Sequence, residues 1–493
     1  MKTAHLARRM RTKLLASILL CSLPALARGQ LRNANWLFSN DWISFASGAP
    51  VNLPSVSTTA TSSLSDNAGN LLAYFTDSGG GGGDIGVRGT DHELMPGNPT
   101  FNGYFSGLQQ SAIFIPKPGD SERAYLIAWN RIPWVETHRF GMLEIFLGNA
   151  TDPPQVLSAE YAWFMNGAAC KRMVIPHANG EDYWFVGQMA GTNAYHAYLI
   201  SSAGLSSTPV ISNAGAVIPM HFKNGKMIPT VGGTRFVSVS ETLNYGGPTI
   251  EPSIVEVHTF DPSTGLIQHQ HTLDINTRVD GVEFSPSGSI LYVVQWSISG
   301  DQTESYHALY QYDLEASNPN LLPVLMDSYV IDGLSGITAN VLSQAPDARI
   351  YMSHYTQSLG VINEPDLPFP QCEYVHDGFV STSESSGLPS FIKRYNDPPP
   401  LGPMGVRDPT SNRLAIVQPN PVTGAGELRL SGATGPVSLE WLDVQGRVVR
   451  KSTTSAIADR MPVDATGLAD GHYLLRAQVG EKAPVVVRVS VER

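Results

Sequence analysis

Apolar and polar positions alternate along most of this chain in short runs broken by Gly, Pro, Asn, Asp and Ser. That is the period of a half-buried strand followed by a turn, not the 3.6-residue period of a helix. Runs rich in β-branched and aromatic residues begin at Leu71, Ala124, Asp182, Arg235, Ile290 and Arg349, an interval of roughly 50 residues. The clearest unit is Gly281 to Val293. There a strand meets the turn Ser285-Pro286-Ser287-Gly288, a second strand departs, and Leu309 to Leu314 supplies a third. Gln344 to Met352 repeats the unit with Pro346-Asp347-Ala348 at the turn. Intervals of about 40–50 residues are those of propeller blades, four-stranded sheets that cannot bury both faces alone. A long sandwich or a β-helix also uses such strands, but neither needs a turn-strand unit at this spacing. The pattern therefore predicts an all-β chain with a β-propeller over residues 31–395, of about seven blades from its length and period.

The rhythm stops at Asn396. From there to Pro409 prolines and glycines crowd out strand formers, which predicts an extended interdomain linker over 396–412. Residues 413–493 resume as about seven short strands, which predicts a small Ig-like β-sandwich. Asp443 to Arg447 reads as a hairpin turn, with Leu439, Trp441, Val444 and Val448 facing the core, and Gly471 as the turn into the strand from Tyr473. The run Gly79 to Gly83 lacks a phosphate-binding register and reads as a surface loop.

Composition adds compartment and charge. Of 493 residues, 42% are hydrophobic and 15% charged, enough to bury a large core. A basic stretch (Lys2, Arg8, Arg9, Arg11, Lys13), the apolar run Leu14 to Leu23 and Ala25-Leu26-Ala27 form the three regions of a signal peptide over 1–27. The flanks of Arg8-Arg9 do not fit a twin-arginine signal, and Cys21 follows Leu20 without a lipoprotein context. No later segment has the apolar length of a transmembrane helix. Cleavage after Ala27 leaves 27 basic against 43 acidic residues, a net charge near −16. Such a chain repels phosphate backbones, so nucleic acid is not an expected partner. Cys170 and Cys372 then remain, either as one disulfide or as two buried thiols, since sequence cannot supply the pairing geometry.

Three motifs near the end carry a resemblance. They are Pro419-Asn420-Pro421, the turn with Asp443, Gly446 and Arg447, and the run with Gly471, Tyr473, Leu475 and Arg476. Together, in this order, they closely resemble the type IX secretion sorting domain. The resemblance implies recognition by the type IX secretion machinery, passage across the outer membrane from the periplasm, and a final place at the cell surface or in the medium. Gln418 and the terminal Glu492-Arg493 are mild departures from the pattern. Upstream, Asn35-Trp36-Leu37-Phe38, Asp66 to Tyr74, Gln110 to Gly119 and Gly387 to Ile392 resemble a family of exported Bacteroidetes propellers, which implies a surface or secreted protein and no known chemistry.

Direct chemistry is sparse. The histidines show no H-E-x-x-H spacing, and no G-x-S-x-G elbow or calcium loop occurs. No catalytic, cofactor-binding or metal-binding residue is nominated, and no cofactor is expected. His269 and His271 sit two apart on one strand face, read as a solvent-facing stripe, and Asp91-His92-Glu93 reads as a loop charge cluster. Trp129, Trp134, Trp163, Trp184 and Trp296 offer sugar-stacking rings, though rings in blades mostly fill cores. The expected reading is a non-enzymatic binding or adhesion module that takes a glycan or protein at the propeller's top face. The alternative is a secreted propeller hydrolase or lyase acting on extracellular glycan or peptide.

Overall fold

The computed structural model describes residues 31–393 and 415–491, apart from 39, 55–59, 77–84, 100–110, 132–137, 223, 243–250, 299–303, 321–322, 333–340, 355, 383–386, 419–421, 431–434, 443–446, 457–459 and 481–484. The expected signal peptide, the linker and the polyglycine run lie outside the described residues. Two compact units are present, Met1–Pro399 and Pro400–Arg493. Among the described residues the helical content is a single 3-10 turn, Met220–Phe222.

The first unit is a ring of seven antiparallel blades built from six sheets. Blade one is β1 (Asn35–Phe38), β2 (Asp41–Ser44) and β3 (Val51–Asn52), and blade two is β4 (Ala60–Ser65), β5 (Leu71–Thr76) and β6 (Gly86–Arg88). Blade three holds β7 (Ala112–Pro116), β8 (Arg123–Arg131), β9 (His138–Phe146), the short β10 (Gln155–Val156) and the first half of β11 (Ala162–Pro176). Blade four takes the second half of β11 with β12 (Tyr183–Met189), β13 (Ala194–Ser201), β14 (Gly204–Leu205) and β15 (Val210–Asn213). Blade five is β16 (Asn224–Pro229), β17 (Arg235–Glu241), β18 (Ile254–Phe260) and β19 (Ile267–Leu273). Blade six is β20 (Arg278–Phe284), β21 (Ile290–Ile298), β22 (Glu304–Asp313) and β23 (Val324–Asp332), and blade seven is β24 (Leu342–Gln344), β25 (Ile350–Ser353), β26 (Ser358–Ile362) and β27 (Tyr374–Val380).

The six apolar runs read from the sequence are β5, β8, β12, β17, β21 and β25, the second strand of blades two to seven. The turn before each joins the innermost strand to the second, so all six turns share one end of the ring, here called the lower end. Gly69, Gly119, Gly180, Gly233 and Gly288 in these turns have φ between +67° and +89°, the left-handed conformation that glycine adopts without a Cβ penalty. In blade seven Ala348 takes that place at φ +66°, as its degenerate turn sequence foreshadows.

Neighbouring sheets bury their apolar faces against each other. Leu37 and Trp42 pack on Leu71 and Tyr74, Phe75 on Phe114 and Leu126, Ile127 on Phe185, Trp184 on Phe236, Val257 on Leu291, and Tyr292 on Met352. The last sheet closes on the first through Tyr351, Leu359 and Val361 against Trp36 and Phe45. Thr382 N donates to Asp41 Oδ1 at 2.8 Å across the same seam. The ring thus consists of seven blades, and among the described residues each shares an apolar cluster with the next. Blades three and four share one continuous sheet because β11 runs from the rim of one to the axis of the next. Its register breaks on both sides of Ala168, next to Gly167 at φ +86°, and such a bulge lets one strand serve two sheets.

Residues of the second unit form a seven-strand sandwich. One sheet is ordered β28 (Ala415–Gln418), β29 (Ala425–Leu430), β32 (Arg460–Asp464). The other is ordered β31 (Val448–Ala456), β30 (Gly435–Leu442), β33 (Gly471–Val479), β34 (Val485–Val491). Leu428, Val437, Leu439, Trp441, Met461, Val463 and Leu475 fill its core. Leu439 and Trp441 sit where the sequence places them, and Val444 lies outside the described residues. Val448, expected in the core, is instead 40% exposed. It begins β31, the edge strand of its sheet, and the register slips between Trp441 and Leu442 beside it; strict alternation from the core of β30 does not carry across such a slip.

Candidate functional site

A propeller's axis is the first place to look for chemistry, and here it is filled. Gly387 to Lys393, the last described stretch of the first unit, runs through it. Ser62 Oγ on β4 and Ser343 Oγ on β24 both donate to carbonyls of this stretch, Asn33 Nδ2 donates to Ile392 O at 2.9 Å, and Ile392 packs among Ile113, Phe185 and Val174. Lys393 pairs with the wholly buried Glu283 of β20, whose Oε2 also accepts from Gln344 N at 3.0 Å. Arg172 of β11 donates to Ala112 O, and Lys226 of β16 to Asp280 O. The space left between Arg172, Met227, Ser343, Ser390 and Lys393 is 10 Å³, about the room for one water. Around it burial disfavours the charged forms of Asp280, Glu283, Lys171 and Lys226. It pushes Asp280 up to about 7, against Arg278 and Lys226, and Lys171 down to about 7, against Glu256. Charged groups converge here, around room for about one water.

A titratable cluster that reaches the surface lies in the crevice between blades six and seven, toward the upper end. Two bulges build it. In blade seven Leu359 pairs with Phe379 and Val361 with Val375, so Gly360 alone faces His376, Asp377 and Gly378. A regular strand points consecutive side chains to opposite faces; the inserted residues relax that alternation and let His376 and Asp377 serve one site. In blade six the register slips between Leu309 and Tyr310, beside Asp327 on β23. Gly360 is required for the packing: a Cβ there would stand 2.7 Å from His354 Cε1 and 3.1 Å from Tyr374 Cε2.

The hydrogen bonds in the crevice fix its protons. Tyr374 Oη donates to Asp327 Oδ2 at 2.9 Å and lies 3.2 Å from His354 Nε2, and Asp327 Oδ2 is also 2.6 Å from His376 Nδ1. With its proton on Asp327, the phenol can only accept from His354 Nε2–H, and a carboxylate can only accept from His376 Nδ1–H. This assigns both tautomers through the network. The two imidazoles stack at 4.1 Å and 8°, and Tyr329 meets both rings edge-on. Burial holds His354 down to about 4, with His376 adding to the shift. Burial raises Asp327, but the bonds from His376 and Tyr374 outweigh it and leave the carboxyl below its usual range. One nitrogen of each imidazole and one oxygen of Asp377 lie within 4.8 Å of one another. No spacing along the chain reveals this group, because its members sit on two strands, β23 and β27, and in the loop after β25.

The residues singled out in the sequence fall elsewhere. A bulge between Val257 and His258 sets His269 opposite His258. His269 is 3.7 Å from Glu256 Oε1 and bonded to Thr272 Oγ1 at 2.9 Å, while His271 stands opposite Val257. Asp91-His92-Glu93 forms a turn in which Asp91 Oδ1 accepts from Glu93 N and His92 Nδ1 is bonded to Tyr74 Oη at 3.2 Å. Trp129, Trp184 and Trp296 are buried, Trp163 is half-buried, and Trp134 lies outside the described residues. Cys170 and Cys372 are free and buried, and burial pushes the Cys170 thiol up to about 12.

Of the C-terminal motif residues, Pro419, Asn420, Pro421, Asp443 and Gly446 lie outside the described residues. Arg447 is exposed at the start of β31, and Gly471 opens β33 at φ +151°. Tyr473 Oη donates to Ala469 O at 2.9 Å and its ring meets Trp441 edge-on at 6.1 Å. Leu475 is in the core, and Arg476 Nε donates to Glu440 Oε2 at 2.7 Å.

Comparison with known proteins gives a family for this unit. Residues 417–492 match the secretion system C-terminal sorting domain. No curated protein matches the chain. Among solved structures, it is similar to a functionally unknown protein from Desulfotomaculum acetoxidans, at 12% identity and TM-score 0.40 over 73% of this chain and 98% of that one. It is also similar to the Swd1 β-propeller domain of Myceliophteria thermophila, at 11% identity and TM-score 0.33 over 64% and 92%. A putative 6-phosphogluconolactonase from Bacteroides fragilis aligns at 14% identity and TM-score 0.35 over 59% and 80%. Among the described residues no helix is long and apolar enough to cross a membrane. A seven-bladed ring followed by a sorting domain of this family is cargo of the type IX secretion system, delivered to the cell surface or released from it.

Proposed function

We propose that the ring is a non-enzymatic binding module carried to the cell exterior, and that its ligand is an extended segment of protein. The observation that carries this reading is a contrast of volumes. The axis keeps 10 Å³, whereas a groove of 580 Å³ opens between blades three and four, within the range of ligand sites. The groove is lined by Tyr125, Trp163, Phe164 and Tyr198, with Lys117 and Glu144 on one side and Ser206 on the other. Trp163 stacks on Tyr161 and carries the Arg139 guanidinium 3.9 Å from its ring centre, so it is a poor platform for a sugar. Lys117 and Arg123 share Glu144 at 2.7 and 2.9 Å, a charged margin suited to a polar chain.

Two experiments test the reading. Removing residues 417–493 leaves the ring in the periplasm if the C-terminal unit is its export signal; arrival outside the cell without that unit refutes the assignment. Screening the full chain against peptide and oligosaccharide arrays should yield peptide hits that Ser207→Trp abolishes, because the exposed indole fills the groove. Hits unaffected by Ser207→Trp, or turnover of a glycan or peptide, defeat the proposal in favour of another surface or of a hydrolase.

A further inference from the structure

We propose that the crevice between blades six and seven binds one divalent transition-metal ion of the zinc class through His354 Nδ1, His376 Nε2 and a carboxylate oxygen of Asp377, with the fourth position open to solvent.

Tyr374 holds Nε2 of His354 and Asp327 holds Nδ1 of His376, so the nitrogens left to face a metal are Nδ1 of His354 and Nε2 of His376. His354 Nδ1 is buried and has no hydrogen-bond partner. An orphaned buried acceptor loses its water without a replacement partner and calls for a reason. Tyr374 Oη lies within 3.4 Å of both His354 Nε2 and His376 Nδ1. In two stacked rings the free nitrogens therefore fall on the same side, away from the phenol.

A metal-ligating histidine usually donates its other N–H to a carboxylate or similar acceptor, which fixes the tautomer and orients the ring. Asp327 does this directly for His376, and Tyr374 does it for His354 while itself tied to Asp327. One carboxylate thus orients both donors. Two imidazoles and a carboxylate suit zinc and its first-row neighbours, not calcium or magnesium, which prefer all-oxygen sets. Parallel rings do not aim both lone pairs at one point, so closing on an ion requires one ring to tilt. His376 is free to do so: its side chain is 40% exposed on the outermost strand of its blade, whereas His354 is packed. Asp377 is exposed and held on one oxygen by Ser358 Oγ, which leaves the other available. Bound there, an ion ties β27 to the end of β25.

The test uses the full chain without a polyhistidine tag, stripped with chelator, moved to metal-free buffer and titrated calorimetrically with zinc chloride. One equivalent per chain is expected. His376→Asn should abolish it and Asp377→Asn should weaken it at least tenfold. Asp327→Asn, which removes only the orienting carboxylate, should weaken it about 10–100-fold. His269→Asn, at the histidine pair on blade five, should change nothing. Cobalt(II) at the site should show tetrahedral absorption without a thiolate charge-transfer band. Each variant is checked for an unchanged circular dichroism spectrum, and both His376 and Asp377 are exposed enough to replace without loss of core. No stoichiometric uptake, uptake undiminished by both His376→Asn and Asp377→Asn, or uptake lost with His269→Asn overturns the proposal.

Discussion

Lys393 is the charge that ends the segment running through the axis, and its removal isolates a buried carboxylate. In Lys393→Met, Glu283 keeps its hydrogen bonds from Gln344 N and Phe284 N, each 3.0 Å, but loses its ion-pair partner. Breaking one partner of a buried pair typically costs about 3–5 kcal/mol. Unfolding entropy is about 2.1 cal/mol/K per residue, so a ring of roughly 360 residues that melts as one unit loses about 0.76 kcal/mol per degree. The melting temperature should therefore fall by about 4–7 °C. Calorimetry of the full chain at neutral pH measures it. Adding Glu283→Gln, which keeps the acceptor and removes the charge, should recover most of the loss. Burial already raises the Glu283 pKa against the pull of Lys393. Without Lys393 the carboxyl protonates more readily still, so the cost should shrink as the pH is lowered. A drop below about 1 °C, or a double variant as unstable as the single one, would refute the view that this pair locks the axis.

Lys171 is fully buried and held down to about 7 from 10.5, so between those values the unfolded chain binds the extra proton and stability rises with pH. Lys171→Met should flatten that rise in pH-dependent denaturant titrations, and an unaltered slope would mean that the lysine is charged when folded. Gly225→Ala places a Cβ 1.9 Å from Val239 O at φ +135°; on the innermost strand this should destabilise the ring by more than about 2 kcal/mol, and a neutral result in urea unfolding would show that the inner strand yields. Arg476→Met removes a partly exposed pair with Glu440 and should leave stability nearly unchanged, yet lower the exported fraction in a cell-fractionation assay if the machinery reads this side chain. Trp441→Ala empties the core of the C-terminal unit at a cost of about 3–5 kcal/mol and should block export through unfolding, visible as a lost near-ultraviolet signal.

Local pattern along the chain is enough to set the class of both units. Alternating runs such as Ile290 to Val294 can bury only one period, and turns such as Ser285 to Gly288 fix which strands are joined, so strand identity and the blade interval follow from local chemistry. Export is similarly local, since a C-terminal domain recognised by family is written in contiguous residues. What local pattern cannot carry is where chains meet across distance. That Gly387 to Lys393 fills the axis depends on Glu283, some hundred residues earlier in the chain. That β11 serves two blades, that Val448 is exposed, and that His376 and Asp377 turn to one side all depend on register slips, which shift side chains between faces without any change in composition. Asp327, His354 and His376 share no spacing and lie on different strands or loops. Only the closing of blade seven against blade six brings them together, because hydrogen-bond geometry is set by the packing of whole sheets.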